Sequence, residues 1–353
     1  MSNTSKQTRK FVKILFFALL ALLALLALLS GCNGWTNPER AIFEKYHQRL
    51  ANVLDVPPRE LNEVSAITIP DKRALYQELP RLSLGLLESY QLRQCGLFNL
   101  IAEKNSQLGK VQDPFHDLDY QTTLLNTLNS CLTEYPLSED ERTTLTRLYE
   151  QKWQHLPVHL DNVLLTSETM RKQLTASSWL SAKSRNQTAH VSKTFHALNA
   201  MYETPKGVIS RLPSFSFVQY QEEMEKSRLM GKVYFTLNST SEWLDVTTKL
   251  LEENQERIVC GKNRDTTQFR YLKNVFQSIY VEEVQPYLAF VDSTYQQLND
   301  GAILIEQRME LHGESYGVIK AHEQFRTKTL EHVKFWQGLF KRCGVVVGNS
   351  PTP

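Results

Sequence analysis

The sequence predicts an all-α protein, an elongated multi-helix bundle of about ten helices with two disulfides. Three observations carry that prediction. Apolar residues recur at helical spacing over most of residues 37–345. Caps, prolines and glycines punctuate those runs where helices should start and stop. Strand signals are few and short.

Residues 1–31 stand apart from the fold. Lys6, Arg9, Lys10 and Lys13 precede an unbroken apolar run from Ile14 to Leu29, with no acid among them. That is the n-region and h-region of an export signal. As a helix the run would extend about 24 Å, short of a hydrocarbon core of about 30 Å, so a permanent span is the weaker reading. Leu29-Ser30-Gly31-Cys32 then resembles the bacterial lipobox. Small residues let the backbone enter a protease cleft, and the Cys32 thiol is the nucleophile that takes a diacylglycerol group. Cleavage before Cys32 frees an amine that can be acylated as well, with palmitate for example, and more than one chain gives stable anchoring. Asn33 follows, where an Asp would retain a lipoprotein at the inner membrane. The expected location is the cell envelope, lipid-anchored in the outer membrane and facing the periplasm.

Residues 32–36 are a lipidated tether. Asn37-Pro38-Glu39 is a helix start, with Asn as cap, Pro in the first turn and an acid beside it. Ile42, Tyr46, Leu50 and Val53 follow at helical spacing, and Pro57-Pro58 ends the helix. Val56 to Asp71 is a loop, extended at Ala66 to Ile69. Leu82, Leu86, Tyr90, Leu97 and Ile101 mark a long helix to Leu108, stopped by Gly109-Lys110. Leu118, Leu125, Leu128 and Leu132 carry a return helix over 116–133. Ser138-Glu139-Asp140-Glu141 is a capping box opening a helix that Pro157 should break or bend. Residues 158–186 are ambiguous. Val191, Phe195, Leu198 and Met201 form one helical face. Thr204 to Ser214, with Pro205, Gly207 and Pro213, is the best boundary between an N-terminal half, 37–204, and a C-terminal half, 205–345. The two halves can equally form one continuous domain.

Helices resume near 217–237. Ser239-Thr240-Ser241-Glu242 reads as a second capping box. Phe269, Leu272, Phe276 and Ile279 continue after a stop at Cys260-Gly261. Pro286 should kink or split the next helix, and Asp300-Gly301 should bend it again. Val318, His322, Phe325, Val333, Trp336 and Phe340 line the core side of the last helix, and 346–353 is a disordered tail.

Besides Cys32 there are Cys95, Cys131, Cys260 and Cys343, an even number in an exported chain. In an antiparallel hairpin turning at Gly109 to Pro114, Cys95 and Cys131 fall at similar heights, about 20 and 23 Å from the turn at 1.5 Å per residue. A disulfide between them is reachable. That leaves Cys260 for Cys343; each ends a helical pattern and is followed by Gly. No two cysteines stand at zinc-ligand spacing, so no metal and no cofactor are expected.

Without the four basic residues of the leading segment, 36 basic residues face 38 acidic ones. That balance gives no basis for nucleic-acid binding. No Gly-x-Ser-x-Gly elbow and no His-Glu-x-x-His zinc helix is present. His155 and His159 stand four apart, but Pro157 lies between them. Glu44-x-x-His47 is one half of a di-metal helix pair without its second half. Asp113, His116, Asp117 and Asp119 crowd a helix start, where acids favour the dipole. His322 reads as a core histidine.

A polar cluster, Glu103, Lys104, Asn105, Ser106 and Lys110, follows the apolar stretch from Cys95 to Ala102. The lipobox, the segment Cys95 to Val111, Trp243-Leu244-Asp245, Val284-Gln285-Pro286-Tyr287-Leu288 and Arg342-Cys343-Gly344 are spread over the mature chain. Together they resemble an uncharacterised proteobacterial lipoprotein family, one known only as a domain of unknown function. The resemblance implies a helical lipoprotein and transfers no active-site residue. Glu103, Asn105 and Ser106 are the candidate polar surface site. No catalytic residue is assigned. Two function classes follow: a non-enzymatic adaptor that binds an envelope protein, or a binder or enzyme for cell-wall or small-molecule ligands. An exposed apolar patch favours the first; a cleft with converging polar groups favours the second.

Overall fold

The first helix, α1 (Pro38–Leu54), opens as the sequence predicts. Asn37 Oδ1 accepts from the N–H groups of Glu39 and Arg40, and Pro38 takes the first turn. The computed structural model describes residues 37–62, 64–80, 92–204, 212–261, 264 and 266–345. Cys32 with its tether, the start of the predicted long helix, most of the boundary at 204–214 and the tail lie outside the described residues.

The predicted helix to Leu108 is a correction. Arg93–Cys95 is a single 3-10 turn, and Gly96 takes a left-handed φ of 82°. Helix α2 (Leu97–Asn105) begins only there. The chain breaks again at Ser106, whose extended backbone starts a separate turn, Gln107–Lys110. Apolar spacing continued through both breaks and concealed them. Gly109 is therefore no helix cap. It packs against the carbonyls of Glu103 and Lys104, where an added Cβ would come within 2.4 Å of an oxygen.

Helix α3 (Pro114–Glu134) returns, capped by Asp113. Helix α4 (Glu139–Asp161) carries the Ser138–Glu141 capping box in full. It runs unbroken through Pro157, so of the expected break or bend the break is absent. The proline removes one N–H, while Leu156 and Leu160 on either side are buried and hold the helix to the core. A π-helical segment, Asn162–Thr166, links α4 to α5 (Glu168–Leu174). Helix α6 (Thr188–Glu203) precedes the undescribed boundary, and α7 (Val218–Ser227) follows it.

Helix α8 (Leu229–Glu253) corrects the second capping box. Ser239, Thr240 and Ser241 are buried in its interior, and the predicted helix over 217–237 is divided at Arg228 instead, at a left-handed φ of 50°. The Thr240 and Ser241 hydroxyls donate to the carbonyls of Thr236 and Leu237, at 2.7 and 2.6 Å. Internal bonds of this kind satisfy the hydroxyls without ending the helix. Helix α9 (Thr267–Val275) runs into a second π-helical segment, Phe276–Val284, and then into α10 (Gln285–Glu310), whose first turn holds Pro286. Pro286 therefore splits nothing: the backbone stays helical through Val284 and Gln285 before it. Helix α10 passes through Gly301 without a break, and the missing side chain admits the Phe195 ring of α6. Helix α11 (Val318–Arg342) closes the fold.

Packing centres on α8. Helix α11 lies along it, and α1, α5 and α10 surround it. Helix α6 packs on α10, and the α3–α4 hairpin joins through α6, α7 and the first π-helical segment. One hydrophobic cluster runs from Phe43 to Phe340. Both disulfides form as predicted, Cys95–Cys131 and Cys260–Cys343, with Cα separations of 5.4 and 5.3 Å. Among the described residues there is no strand, and no helix is long and apolar enough to cross a membrane.

Candidate functional site

The predicted polar residues sit together at the end of α2. Glu103, Asn105 and Ser106 are all exposed. Ser106 acts locally, since its Oγ accepts from the Gly109 N–H at 3.0 Å and starts the next turn. That turn raises two apolar side chains into solvent. Leu108 is 82% exposed and Val111 78%.

The base beneath is fixed in two ways. The Cys95–Cys131 disulfide ties the start of α2 to α3. On the other side, Lys104 donates to Asp117 at 2.6 Å and to Gln112 at 3.0 Å, and lies over the Tyr120 ring at 5.0 Å. Asp117 also faces His159 Nδ1 at 3.1 Å. Burial alone would raise the Asp117 carboxyl. Hydrogen bonds and charge from His159 and Lys104 outweigh it and hold the group well below the carboxylate range. Lys152, buried one layer deeper, donates to Gln121 Oε1 at 3.2 Å. Burial pushes its ammonium down, and Asp117 partly opposes this. The network is a clamp holding α2, α3 and α4 together.

His155 and His159 do not converge on a metal: His159 is engaged by Asp117, and no group of three metal-ligating side chains exists among the described residues. Glu44 pairs with Arg40, while His47 bonds Thr247 and the Arg59 N–H. His322 is a core histidine, with Nε2 2.7 Å from Asp292 and its ring stacked on Tyr295. Asp119, read as part of a solvated acidic cluster, accepts from Ser216 Oγ and the N–H groups of Phe217 and Val218.

A second feature was missed by sequence reasoning. The described residues between Arg59 and Ile67 form a strap tied to the helical body by side chains. The Arg59 N–H donates to His47 Nε2 at 3.0 Å, Asn62 donates twice to Glu242 Oε1, and the Ile67 N–H donates to Ser177 Oγ at 2.9 Å. Beside it lies a cleft of about 420 Å³. It is lined by Tyr234, Asn238 and Glu242 of α8, Ser315 and Tyr316 before α11, Gln324 of α11 and the strap itself. The signal was present as polar residues at i, i+4 and i+8, one stripe of a helix. Reading Ser239 to Glu242 as a helix start placed those residues on two different elements and hid the stripe.

No curated protein and no solved structure matches the chain. A family model does, over residues 43–347, and its description is "Protein of unknown function (DUF3080)". That match spans α1 to α11, both disulfides, the exposed turn and the cleft, so the chain belongs to the DUF3080 family.

Proposed function

We propose that the chain is an acyl-anchored envelope protein that docks a protein partner through the turn after α2. The observation that carries the docking surface is the exposure of Leu108 and Val111 together on one turn. Exposed apolar side chains that share a patch mark interaction sites more often than scattered ones do. A rigid mounting lowers the ordering cost of binding, and the disulfide and the Lys104–Asp117–His159 clamp supply it. Glu103, Asn105 and Ser106 form the polar rim.

The anchor reading is supported by the lipobox ending at Cys32 and by the paired state of the other four cysteines, which fits an oxidising compartment. Asn33 favours the outer membrane. Palmitate labelling of cells should be lost in Cys32→Ala, and persistent labelling sinks the anchor.

Docking is tested by photo-crosslinking in cells from a photoreactive residue at Leu108, with Leu330, an exposed residue of α11, as the control position. The expected result is one dominant protein adduct from position 108 and none of that mass from 330. Identical adducts from both positions, or none from 108, reject the surface.

A further inference from the structure

The cleft beside the strap has a chemistry of its own, independent of the docking turn. Among the described residues its lining contains no lysine and no arginine. A phosphate or carboxylate ligand would find no counter-charge from them. The one carboxylate among those described lining residues, Glu242, already accepts both Asn62 bonds through Oε1, which makes it a poor sole partner for a cation.

What remains is a set of polar groups, neutral apart from Glu242, with unused hydrogen-bonding capacity. The Tyr234 hydroxyl has no hydrogen-bond partner among the described residues, nor has the Gln324 amide. Asn238 donates to the Tyr234 carbonyl at 3.1 Å, which leaves its Oδ1 unused. Glu242 keeps Oε2. The lining therefore offers both donors and acceptors. A hydroxyl-bearing ligand answers such a lining, because each of its groups both donates and accepts. The half-buried Tyr234 ring, edge-on to Tyr316 at 5.1 Å, adds an apolar surface for the C–H face of a sugar ring.

The groups are also held in place before any ligand arrives. Buried Glu306 accepts from the Tyr316 N–H at 2.9 Å, from Ser315 Oγ at 3.3 Å and from the Gly317 N–H. Tyr316 Oη donates to the Leu174 carbonyl at 2.6 Å. Gly317, at φ 84°, leaves room for the Tyr234 hydroxyl, since an added Cβ would lie 2.8 Å from it. The volume falls in the lower part of the range for small-molecule sites, roughly 300–1,000 Å³.

We infer that this cleft binds an uncharged mono- or disaccharide, held by Tyr234, Asn238, Glu242 and Gln324. The test is calorimetric titration of the full-length protein in a zwitterionic detergent, because glycosidic detergents would compete. The panel is glucose, N-acetylglucosamine, maltose and chitobiose, with putrescine and inorganic phosphate as charged probes. At least one saccharide should bind at millimolar concentration or below, and the charged probes should not. Asn238→Ala and Gln324→Ala should each weaken that binding about tenfold, the equivalent of one lost hydrogen bond. Gln324 is exposed, so its variant keeps the wild-type thermal midpoint and separates binding from folding. No saccharide binding across the panel, tighter binding of putrescine or phosphate, or saccharide binding unchanged in both variants would each overturn the assignment.

Discussion

His332 is fully buried where α1, α8, α11 and the second π-helical segment meet. Its partners fix its tautomer. Thr248 Oγ1 donates to the Leu244 carbonyl, so it accepts from His332 Nδ1 at 2.8 Å. His332 Nε2 is then the acceptor, facing Tyr46 Oη at 2.9 Å and Trp336 Nε1 at 3.1 Å. Burial pushes the imidazole down to about 3. Its folded value thus lies below the unfolded one of about 6.5, so the unfolded chain takes up the proton first. The contribution is whole above about pH 6.5 and is lost as pH falls toward 3. Denaturant unfolding should therefore show stability falling from pH 6.5 to 5, with His332 contributing a slope of about 1.4 kcal/mol per pH unit. Burial pushes His47 the same way and adds to it. His332→Gln should be less stable at neutral pH and show a shallower slope; an unchanged slope contradicts the neutral, buried state. Asp161 is a buried carboxylate whose partners hold it in place. It takes both Arg308 bonds at 2.6 Å, and accepts from Tyr202 Oη at 2.7 Å. Asp161→Asn leaves the guanidinium without its counter-charge, and chemical denaturation should register a loss of about 3 kcal/mol.

Helices approach one another as closely as their smallest residues allow, and two glycines predict opposite outcomes. Gly231 begins α8 against the 174–176 segment, where an added Cβ would lie 2.5 Å from the Ala176 nitrogen and 2.9 Å from the Leu174 oxygen. Backbone cannot yield there as a flexible side chain would. Gly231→Ala should cost about 2 kcal/mol through displacement of α8. Gly338 is an exposed glycine of α11 with nothing within 4 Å of the same position. Gly338→Ala should stabilise by about 0.5–1 kcal/mol, because only the helix propensity changes. Thermal midpoints of the two variants should move in opposite directions, and a shared direction would mean that α8 does not meet the 174–176 segment as described. Legibility at this scale was uneven for one reason. Caps that act within four residues, Asn37 and Ser138, could be read from sequence. Ser239 to Ser241 carry the same residue types in a buried helix interior, and only their burial distinguishes the two uses.

Across the whole molecule, the first described helix is sealed by the last. Trp336 of α11 donates to Tyr46 of α1 at 3.0 Å, and Cys343 is tied to Cys260 beyond α8. The two crosslinks close loops of 36 and 83 residues. In the chain-entropy account their removal costs about 4 and about 4.5 kcal/mol. Unfolding of the two double Cys→Ser variants should show the larger loss for Cys260/Cys343. Equal stability to wild type in either would mean that the unfolded ensemble is not restrained by that bond. Non-reducing peptide mapping should recover Cys95 with Cys131 and Cys260 with Cys343, and any crossed pairing contradicts the hairpin.

The sequence by itself determined the helical class and the local caps, and it pointed to the disulfide partners. The caps depend on residues near one another in the chain; the Cys95–Cys131 pairing held although the helix whose rise per residue suggested it starts only at Leu97. Tertiary structure alone decided which polar residues face inward. Glu242 meets Asn62 and Asp117 meets His159 across spans of sequence that no periodicity encodes. It also decided that Gly96 and Ser106 interrupt an apolar repeat, since a helix ends where its continuation would lose packing, not where its pattern fades. The exposed turn at Leu108 and the cleft on α8 both follow from those decisions.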